Sequence, residues 1–322
     1  MLAIRVHQYG GPEVLSLDEL ETPQPGKGEA RVRIEAAGLN FIDIYHRSGQ
    51  YRGQLPLTLG QEAAGVVEAI GPDVTDVRPG ERVVYASVQG TYATHAIVPA
   101  WRLIHLPDGV DTRTGAAAHL QGLTAHYLTR STYPLKPGET ALIHAAAGGL
   151  GQLAVQMAKL AGARVIGTVS TDAKARVARE CGADEVILYT QVDFESEARR
   201  LTGGRGVDVV YDSVGQDTFE KGLNCIRPRG YMVLCGQSSG AVPPLDPQVL
   251  NAKGSLFLTR PTLAHYTATR EELLGRATDL YHWIAAVQLK VNVDRTFALN
   301  QAAEAQRYLA SRKAMGKVLL LP

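Results

Sequence analysis

The sequence predicts an α/β protein with a mostly β first region and a doubly wound parallel sheet in its middle. Its 322 residues suggest two domains, at roughly 150 residues per domain. Short Val- and Ile-rich runs between Gly/Pro turns fill about the first 110 residues and indicate an antiparallel barrel or sandwich. From about Gly122 to about Arg260, strands alternate with helices, which is the pattern of right-handed β–α–β units.

The helices and strands of these two regions are predicted from the spacing of apolar residues and from the Gly- and Pro-rich turns between them. The predicted strands of the first region are Leu2–His7, Val14–Leu20, Arg31–Ala36, Ala63–Ile70, Arg82–Ala86 and Tyr92–Val98, and its helices are Phe41–Arg47 and Thr112–Leu120. The predicted strands of the middle region are Thr140–Ala145, Arg164–Val169, Glu185–Leu188, Val207–Tyr211 and Tyr231–Leu234. Its predicted helices are Gly149–Ala161, Ala173–Cys181, Phe194–Leu201 and Thr218–Cys225.

The last 60 or so residues show too few apolar runs to form a core of their own. They contain a long helix over Arg270–Ala286, a second helix over Gln301–Leu309 and a final strand over Lys317–Leu320. We expect this tail to return to the first domain, which makes that domain discontinuous. The expected domains are residues 1–122 with 261–322, and residues 123–260.

The composition excludes several classes of protein. A hydrophobic fraction of 45% with 20% charged residues excludes a disordered chain. The net charge of +1 gives no indication of a surface that binds nucleic acid or an acidic membrane. An odd number of cysteines, Cys181, Cys225 and Cys235, argues against a disulfide framework or a structural zinc lobe. With no signal-peptide pattern and no apolar stretch of about 18 residues, we expect a reduced cytoplasmic protein.

The stretch Ala141–Gly151 carries the clearest functional motif, ALIHAAAGGLG. A predicted strand ends, a Gly-rich turn follows and an amphipathic helix begins, which is the context that makes such a motif informative. Gly148 allows the backbone to approach a pyrophosphate, and Gly151 allows the helix to pack closely on the strand. The free N–H groups at the helix start favour an anion. The sequence therefore predicts a dinucleotide site, although the first position of the GxGxxG pattern is Ala146.

The end of the second strand of this region selects the cofactor. An NAD site needs an acidic side chain there for the ribose 2′-hydroxyl. Here Thr168, Val169 and Ser170 end the strand without a carboxylate, and Asp172 comes only in the following turn. Lys174 follows in the first turn of the next helix, and a cation and a hydroxyl suit a 2′-phosphate. The sequence therefore predicts NADPH.

Several motifs together resemble one family. They are Asn40–Asp43, Gly60–Gly65, Gln121–Ala125, Ala145–Gly151, Tyr211–Gly215, Gly236–Gly240 and Leu258–Pro261. The chain resembles the zinc-free NADPH:quinone oxidoreductases of the medium-chain dehydrogenase/reductase family, which are related to zeta-crystallin. The resemblance covers essentially the whole chain. It implies a GroES-like, mostly β catalytic domain, a Rossmann domain for NADPH, and a homodimer.

The resemblance also implies a set of cofactor contacts. On the nicotinamide side these are Asn40, Phe41, Ile42, Asp43 and Thr124. Gly148, Gly149 and Leu150 would meet the pyrophosphate, and Ser170, Lys174 and Tyr189 the adenosine phosphate. The remaining contacts are Ser213, Cys235, Gly236, Gln237, Ser238, Leu258, Thr259, Arg260 and Arg312. Family members usually carry glycine where Ser170 stands, and a serine there could add a hydrogen bond.

The same resemblance indicates whether the chain should bind a metal ion. In the metal-dependent relatives a ligand Cys stands where Asn40 is, and a ligand His stands where Gln61 is. Amides are far poorer zinc ligands than a thiolate or an imidazole, so we expect no metal. His119, His126 and His144 fall in predicted helices or strands, where packed or surface residues are the simpler interpretation than ligands.

Three functions remain open from the sequence. The first is reduction of a small-molecule quinone by hydride transfer from NADPH, with Tyr45 and Tyr51 as candidate proton or hydrogen-bond donors to the developing oxyanion. Both rings could instead only line an apolar slot. The second is reduction of an activated C=C bond, as in an enone or alkenal reductase. The third is a crystallin-like or RNA-binding protein that keeps the fold, which the near-zero charge disfavours.

Overall fold

The computed structural model describes residues 1–322, the whole chain. Two compact units form, one from Met1–Leu123 with Thr267–Pro322 and the other from Thr124–Tyr266. We call them the split unit and the central unit. No helix is both long enough and apolar enough to cross a lipid bilayer.

Strands outnumber helices in the first 123 residues, because short alternating runs are cut by Gly and Pro. The strands are β1 (Leu2–Val6), β2 (Leu15–Glu19), β3 (Glu29–Gly38), β4 (Leu57–Thr58), β5 (Glu62–Ile70), β6 (Arg82–Ala86), β7 (His95–Pro99) and β8 (Ile104–His105). The helices are α1 (Phe41–Ser48) and α2 (Thr112–Tyr127), with short 3₁₀ turns at Pro12–Val14 and Ala100–Arg102. β3 is the longest strand and buries alternate residues against the core.

The prediction that α2 ends at Leu120 is wrong. The helix runs on to Tyr127 and continues as a π-helical segment over Leu128–Thr132. Gly122 stands in the middle of α2 because a Cβ atom there would lie 2.6 Å from Cδ1 of Leu280. The glycine therefore permits close packing rather than ending the helix.

The central unit alternates strands and helices. Its strands are β9 (Thr140–His144), β10 (Arg164–Val169), β11 (Glu185–Leu188), β12 (Val207–Asp212), β13 (Ile226–Leu234) and β14 (Phe257–Thr259). Its helices are α3 (Gly149–Leu160), α4 (Asp172–Glu180), α5 (Phe194–Leu201), α6 (Phe219–Asn224), α7 (Gln248–Ala252) and α8 (Leu263–Tyr266). The strands form one parallel sheet in the order β11-β10-β9-β12-β13-β14. The chain order reverses between β9 and β12, which defines the switch point of a doubly wound sheet.

The tail adds α9 (Arg270–Ala285), β15 (Val293–Ala298), α10 (Ala302–Ala310) and β16 (Lys317–Leu321), with a 3₁₀ turn at Leu299–Gln301. β16 pairs antiparallel with β3, and β15 pairs with β16, so the tail extends the sheet β15-β16-β3-β5-β6-β8. β7 pairs with another part of β3, and β2-β1-β4 form a separate small sheet. β14 and β15 have no counterpart in the sequence prediction, because both are largely exposed and lack a buried alternation.

The two units have separate cores. In the split unit, residues of the sheet pack with Phe297, Leu299 and Leu309 of the tail. In the central unit, apolar strand residues such as Leu142, Ile166 and Val210 pack against helix residues such as Phe194 and Leu223. Both cores are typical of layers that bury one face of a sheet under helices or a second sheet.

Candidate cofactor and substrate site

The Gly-rich turn connects β9 to α3 with an uncapped helix start. Ala145 adopts a left-handed conformation with φ 52°, and the Gly148 N–H donates to Ala145 O at 2.9 Å. No side chain caps α3, whereas Thr171 and Asp193 cap α4 and α5 by accepting from main-chain N–H groups. The first N–H groups of α3, together with the positive end of its dipole, therefore favour an anion.

At two positions around this turn only glycine fits, because a Cβ atom would clash with neighbouring atoms. A Cβ atom at Gly151 would lie 2.2 Å from the Ala145 carbonyl oxygen, and one at Gly167 of β10 would lie 2.8 Å from Cβ of Ala146. A Cβ atom at Gly148 would lie 3.3 Å from the nearest atom, the Ala145 carbonyl oxygen. The close packing predicted for Gly151 is therefore confirmed.

The end of β10 presents hydroxyl groups and a cation. Ser170 is half-buried, and Thr171 Oγ1 accepts from the Lys174 N–H at 3.3 Å. The Lys174 side chain is half-buried in the first turn of α4. Tyr189 follows β11 with 47% of its surface exposed. Asp172 is exposed at the first position of α4, so its carboxylate belongs to the helix start rather than to the strand end.

A buried carboxylate that sequence reasoning missed organises the loops after β12 and β13. Asp212 accepts from the N–H groups of Val214 at 2.7 Å and Gly215 at 2.9 Å, and from the Thr218 hydroxyl. Its main-chain oxygen accepts from the Cys235 N–H at 2.7 Å. The loop after β12 is thereby tied to the loop after β13, where burial raises the pKa of the Cys235 thiol to about 12. Cys235 is therefore a neutral thiol.

With one exception, the cofactor residues expected in the central unit lie at the same edge of the parallel sheet. All except Thr124, which lies on α2, follow the carboxyl ends of the six parallel strands or end the edge strand β14. This is the edge at which open parallel sheets bind ligands, next to the switch point. The residues are Gly148, Gly149, Leu150, Ser170, Lys174, Tyr189, Ser213, Cys235, Gly236, Gln237, Ser238, Leu258, Thr259 and Arg260.

A buried polar network surrounds Asn40 in the split unit. The Lys317 ammonium donates to Glu62 Oε2 at 2.5 Å and to Asn40 Oδ1 at 2.9 Å, and both charged side chains are at most 1% exposed. The Asn40 amide donates to Glu62 Oε2 at 2.9 Å and to Gly38 O at 3.2 Å. Leu120 N–H donates to the other Glu62 oxygen at 2.5 Å. The Asn40 side chain thus has both its donor and its acceptor engaged, which leaves packing or main-chain contact as its way to meet a cofactor.

Asp43 lies beside this network on α1 and is fully buried. Its Oδ2 accepts from the Asn40 N–H and from the Tyr92 hydroxyl, each at 2.9 Å, while Oδ1 has no partner. Burial raises the pKa of Asp43 to about 7, against the opposing effect of those two hydrogen bonds. Phe41 and Ile42, the neighbouring expected contacts, are half-buried on the same helix.

The two candidate donor tyrosines lie together after Asn40. The Tyr45 and Tyr51 rings meet edge to face with centroids 5.4 Å apart, and Tyr45 is 9% exposed. His46 packs edge-on to Tyr51, and its Nε2 lies 2.9 Å from Nε2 of Gln61. The His46–Gln61 contact is a second feature that the sequence did not indicate.

The remaining predicted residues fall into two groups. His119, His126 and His144 are buried, and burial lowers the pKa of His119 to about 3, as expected of packed rather than ligating histidines. Arg312 is exposed just after α10 in a left-handed conformation, φ 57°, which costs a non-glycine residue free energy.

Comparison with known proteins decides the family. The model for the alcohol dehydrogenase GroES-like domain matches residues 26–108, and the model described as zinc-binding dehydrogenase matches residues 149–279. A quinone oxidoreductase of Pseudomonas aeruginosa is 46% identical over 99% of both chains. The chain belongs to the quinone oxidoreductase family of the medium-chain dehydrogenases/reductases. The structure of the Escherichia coli quinone oxidoreductase complexed with NADPH superposes with a TM-score of 0.98 at 44% identity, covering all of both chains.

Another relative has a different name. A 2-haloacrylate reductase of Burkholderia is 43% identical and covers 100% of this chain and 99% of its own. The matches confirm the predicted fold class, a GroES-like domain combined with a Rossmann domain.

The name of one matching model makes zinc a question for this chain. A divalent cation at Asn40 would face the Lys317 ammonium, which already lies 2.9 Å from the Asn40 side-chain oxygen. At the other position, Gln61 donates its amide to His46 and Gln89. Asn40 and Gln61 supply neither a thiolate nor an imidazole, and the one neighbouring imidazole, His46, is already bonded through both ring nitrogens to Tyr51 O and Gln61, so these residues do not suit zinc.

Proposed function

We propose that this chain reduces quinones with NADPH by direct hydride transfer and without zinc. One observation carries the proposal: the uncapped start of α3 and the Lys174 side chain lie at the same carboxyl edge of one parallel sheet. The first suits a pyrophosphate, and the second adds a cation for a 2′-phosphate. The related structures complexed with NADPH support the same cofactor.

The residues that would hold NADPH follow from their positions. The N–H groups of Gly149 and Leu150 would bind the pyrophosphate, and Ser170, Lys174 and Tyr189 the adenosine phosphate. Asp212 would position the loops that carry Ser213 and Cys235–Ser238. NADPH supplies the hydride when bound. A quinone is electron-poor and gains aromaticity on reduction, so it needs no Lewis acid.

Proton delivery is assigned to the tyrosine pair. Tyr45 or Tyr51 would donate a hydrogen bond or a proton to the oxygen on which negative charge develops. The edge-to-face packing of the two rings fixes their relative orientation, and the same packing serves the alternative in which they only line an apolar slot. Phe variants at each position separate these roles, because they keep the ring and remove the hydroxyl.

A second candidate function is reduction of an activated C=C bond. It is favoured by the similarity to a 2-haloacrylate reductase, and it uses the same hydride donor. The deciding experiment compares kcat/KM for p-benzoquinone and for an alkyl enone with NADPH, using protein treated with a chelator. We expect the quinone to be the better substrate and the chelator to have no effect. A higher kcat/KM for the enone would replace the first function by the second.

The proposal includes a homodimer in the cytoplasm. β14 is the edge of the parallel sheet, and it exposes 51% of Phe257 and 36% of Leu258. An exposed apolar edge strand pairs readily with another chain, and a second copy presents the same edge. All three cysteines are free thiols, which fits a reducing compartment. Light scattering of Phe257→Lys should show a monomer where the natural chain is a dimer.

A further inference from the structure

A chain of three side chains connects two main-chain carbonyl groups beside the tyrosine pair. His46 Nδ1 lies 3.1 Å from Tyr51 O, and His46 Nε2 lies 2.9 Å from Gln61 Nε2. Gln61 Nε2 also lies 3.2 Å from Gln89 Oε1, and Gln89 Nε2 lies 2.7 Å from Thr58 O. We call His46, Gln61 and Gln89 the amide relay.

The two carbonyl groups at the ends fix the polarity of the relay. A carbonyl oxygen only accepts, so His46 carries its proton on Nδ1 and presents an unprotonated Nε2 to Gln61. For the same reason Gln89 turns its NH₂ group to Thr58 and its oxygen to Gln61. Both neighbours therefore require the NH₂ group of Gln61. Burial lowers the pKa of His46, which agrees with a neutral ring.

This arrangement leaves the side-chain oxygen of Gln61 without a partner in the protein. Both protons of its NH₂ group are used by His46 and Gln89, and Oε1 accepts no hydrogen bond from the protein. Gln61 is only half-buried and its unpartnered Oε1 is not a buried atom, so this oxygen is an acceptor open to solvent. A quinone carbonyl is also an acceptor and gains nothing from it, whereas a substituent with an O–H group does.

We propose that Gln61 is a specificity-determining residue that favours quinones with a hydroxyl-bearing substituent, and that His46 and Gln89 are the positioning residues that keep its oxygen outward. This inference rests on the proposed function, in which Tyr45 and Tyr51 line the quinone site. His46 packs on Tyr51 with ring centroids 5.8 Å apart, so the relay and the tyrosine pair form one cluster.

The test compares two substrates of nearly equal size, hydroxymethyl-p-benzoquinone and methoxymethyl-p-benzoquinone, of which only the first donates a hydrogen bond. One hydrogen bond corresponds to a preference of about threefold to tenfold in kcat/KM. We expect that preference in the natural chain. Gln61→Leu should reduce the ratio to about one, since it removes the acceptor. His46→Phe should give an intermediate ratio, because the amide is then free to turn.

The controls keep the outcomes distinct. Gln288→Leu changes an exposed glutamine elsewhere and should keep the ratio of the natural chain. Equal thermal midpoints and NADPH affinities show that the variants are folded. No preference in the natural chain, or the same preference in Gln61→Leu, overturns the proposal for Gln61. An unchanged ratio in His46→Phe overturns the positioning role.

Failure of the proposed function gives a different result. If the protein reduces no quinone, calorimetric titration of the NADP⁺-loaded protein with the same two quinones replaces the kinetic ratio. If the natural chain binds the methoxymethyl compound more weakly and Gln61→Leu binds both compounds equally, the specificity role of Gln61 is supported even though the proposed activity fails. Equal binding of both compounds overturns it.

Discussion

The turn before α3 and the network around Asn40 are built in opposite ways. The turn spans Ala145–Gly151, and its geometry comes from main-chain atoms and the absence of Cβ atoms. The network joins Lys317 to Asn40 across 277 positions and to Glu62 across 255 positions. It forms because β16 pairs with β3, Leu319 opposite Gly38, which brings the start of β16 beside Asn40. A site made of backbone is encoded in adjacent residues, whereas a site made of buried side chains depends on the completed fold.

The largest effect should come from breaking the long-range network. Lys317→Met leaves the Glu62 carboxylate buried without its cation, and removing one partner of a buried ion pair costs about 3–5 kcal/mol. Denaturant unfolding of the variant and the natural chain measures the loss.

The matched control is the double variant Lys317→Met with Glu62→Gln. It removes both charges, so we expect it to recover most of the lost stability. If the single variant unfolds like the natural chain, the ion pair does not stabilise the split unit, and the contrast between the two regions fails.

The local site is broken by one methyl group. Gly151→Ala places Cβ 2.2 Å from a main-chain oxygen, which forces α3 away from the turn. We expect a loss of about 2–3 kcal/mol in stability and at least a tenfold weaker NADPH affinity, by fluorescence titration. Gly275→Ala is the control, since a Cβ atom in this part of α9 meets nothing within 4 Å and helix propensity favours alanine. Equal behaviour of both variants would contradict the packing argument.

The sequence predicts most of the turn before α3, whose geometry comes from the backbone. It predicts little of the network around Asn40, which consists of buried side chains. The alternation of strands and helices and the glycines of Ala145–Gly151 indicate the sheet, the turn and the edge at which the cofactor residues lie. Asp212 lies in the motif Tyr211–Gly215 and Lys317 starts a predicted strand, but neither pattern indicates which groups these side chains contact. Their partners are known only once β12 lies beside β13 and β16 lies beside β3. The His46–Gln61 contact is equally invisible in the sequence.

Asp43 gives a smaller effect that depends on pH. A pKa of about 7 in the folded chain, above the ordinary 3.8, means that the folded state binds a proton more tightly than the unfolded state. Stability from this group is complete below about pH 4 and is lost as the pH rises to about 7. Asp43→Asn cannot ionise, so we expect it to be more stable than the natural chain above pH 7. The gain should vanish near pH 4, and unfolding at several pH values measures it. A gain that is independent of pH would contradict this ionisation.

The smallest effect tests whether the central unit selects its cofactor through one side chain. Lys174→Ala removes the cation at the start of α4 and should cost about 1–2 kcal/mol in NADPH binding, the range of a charge-assisted hydrogen bond. NADH lacks the 2′-phosphate, so its affinity should not change. Lys136→Ala is the control, because Lys136 is exposed just before β9, at the opposite edge of the same sheet. Equal weakening of both cofactors would assign Lys174 to the stability of α4, and the choice of NADPH would then depend on Ser170 and Tyr189.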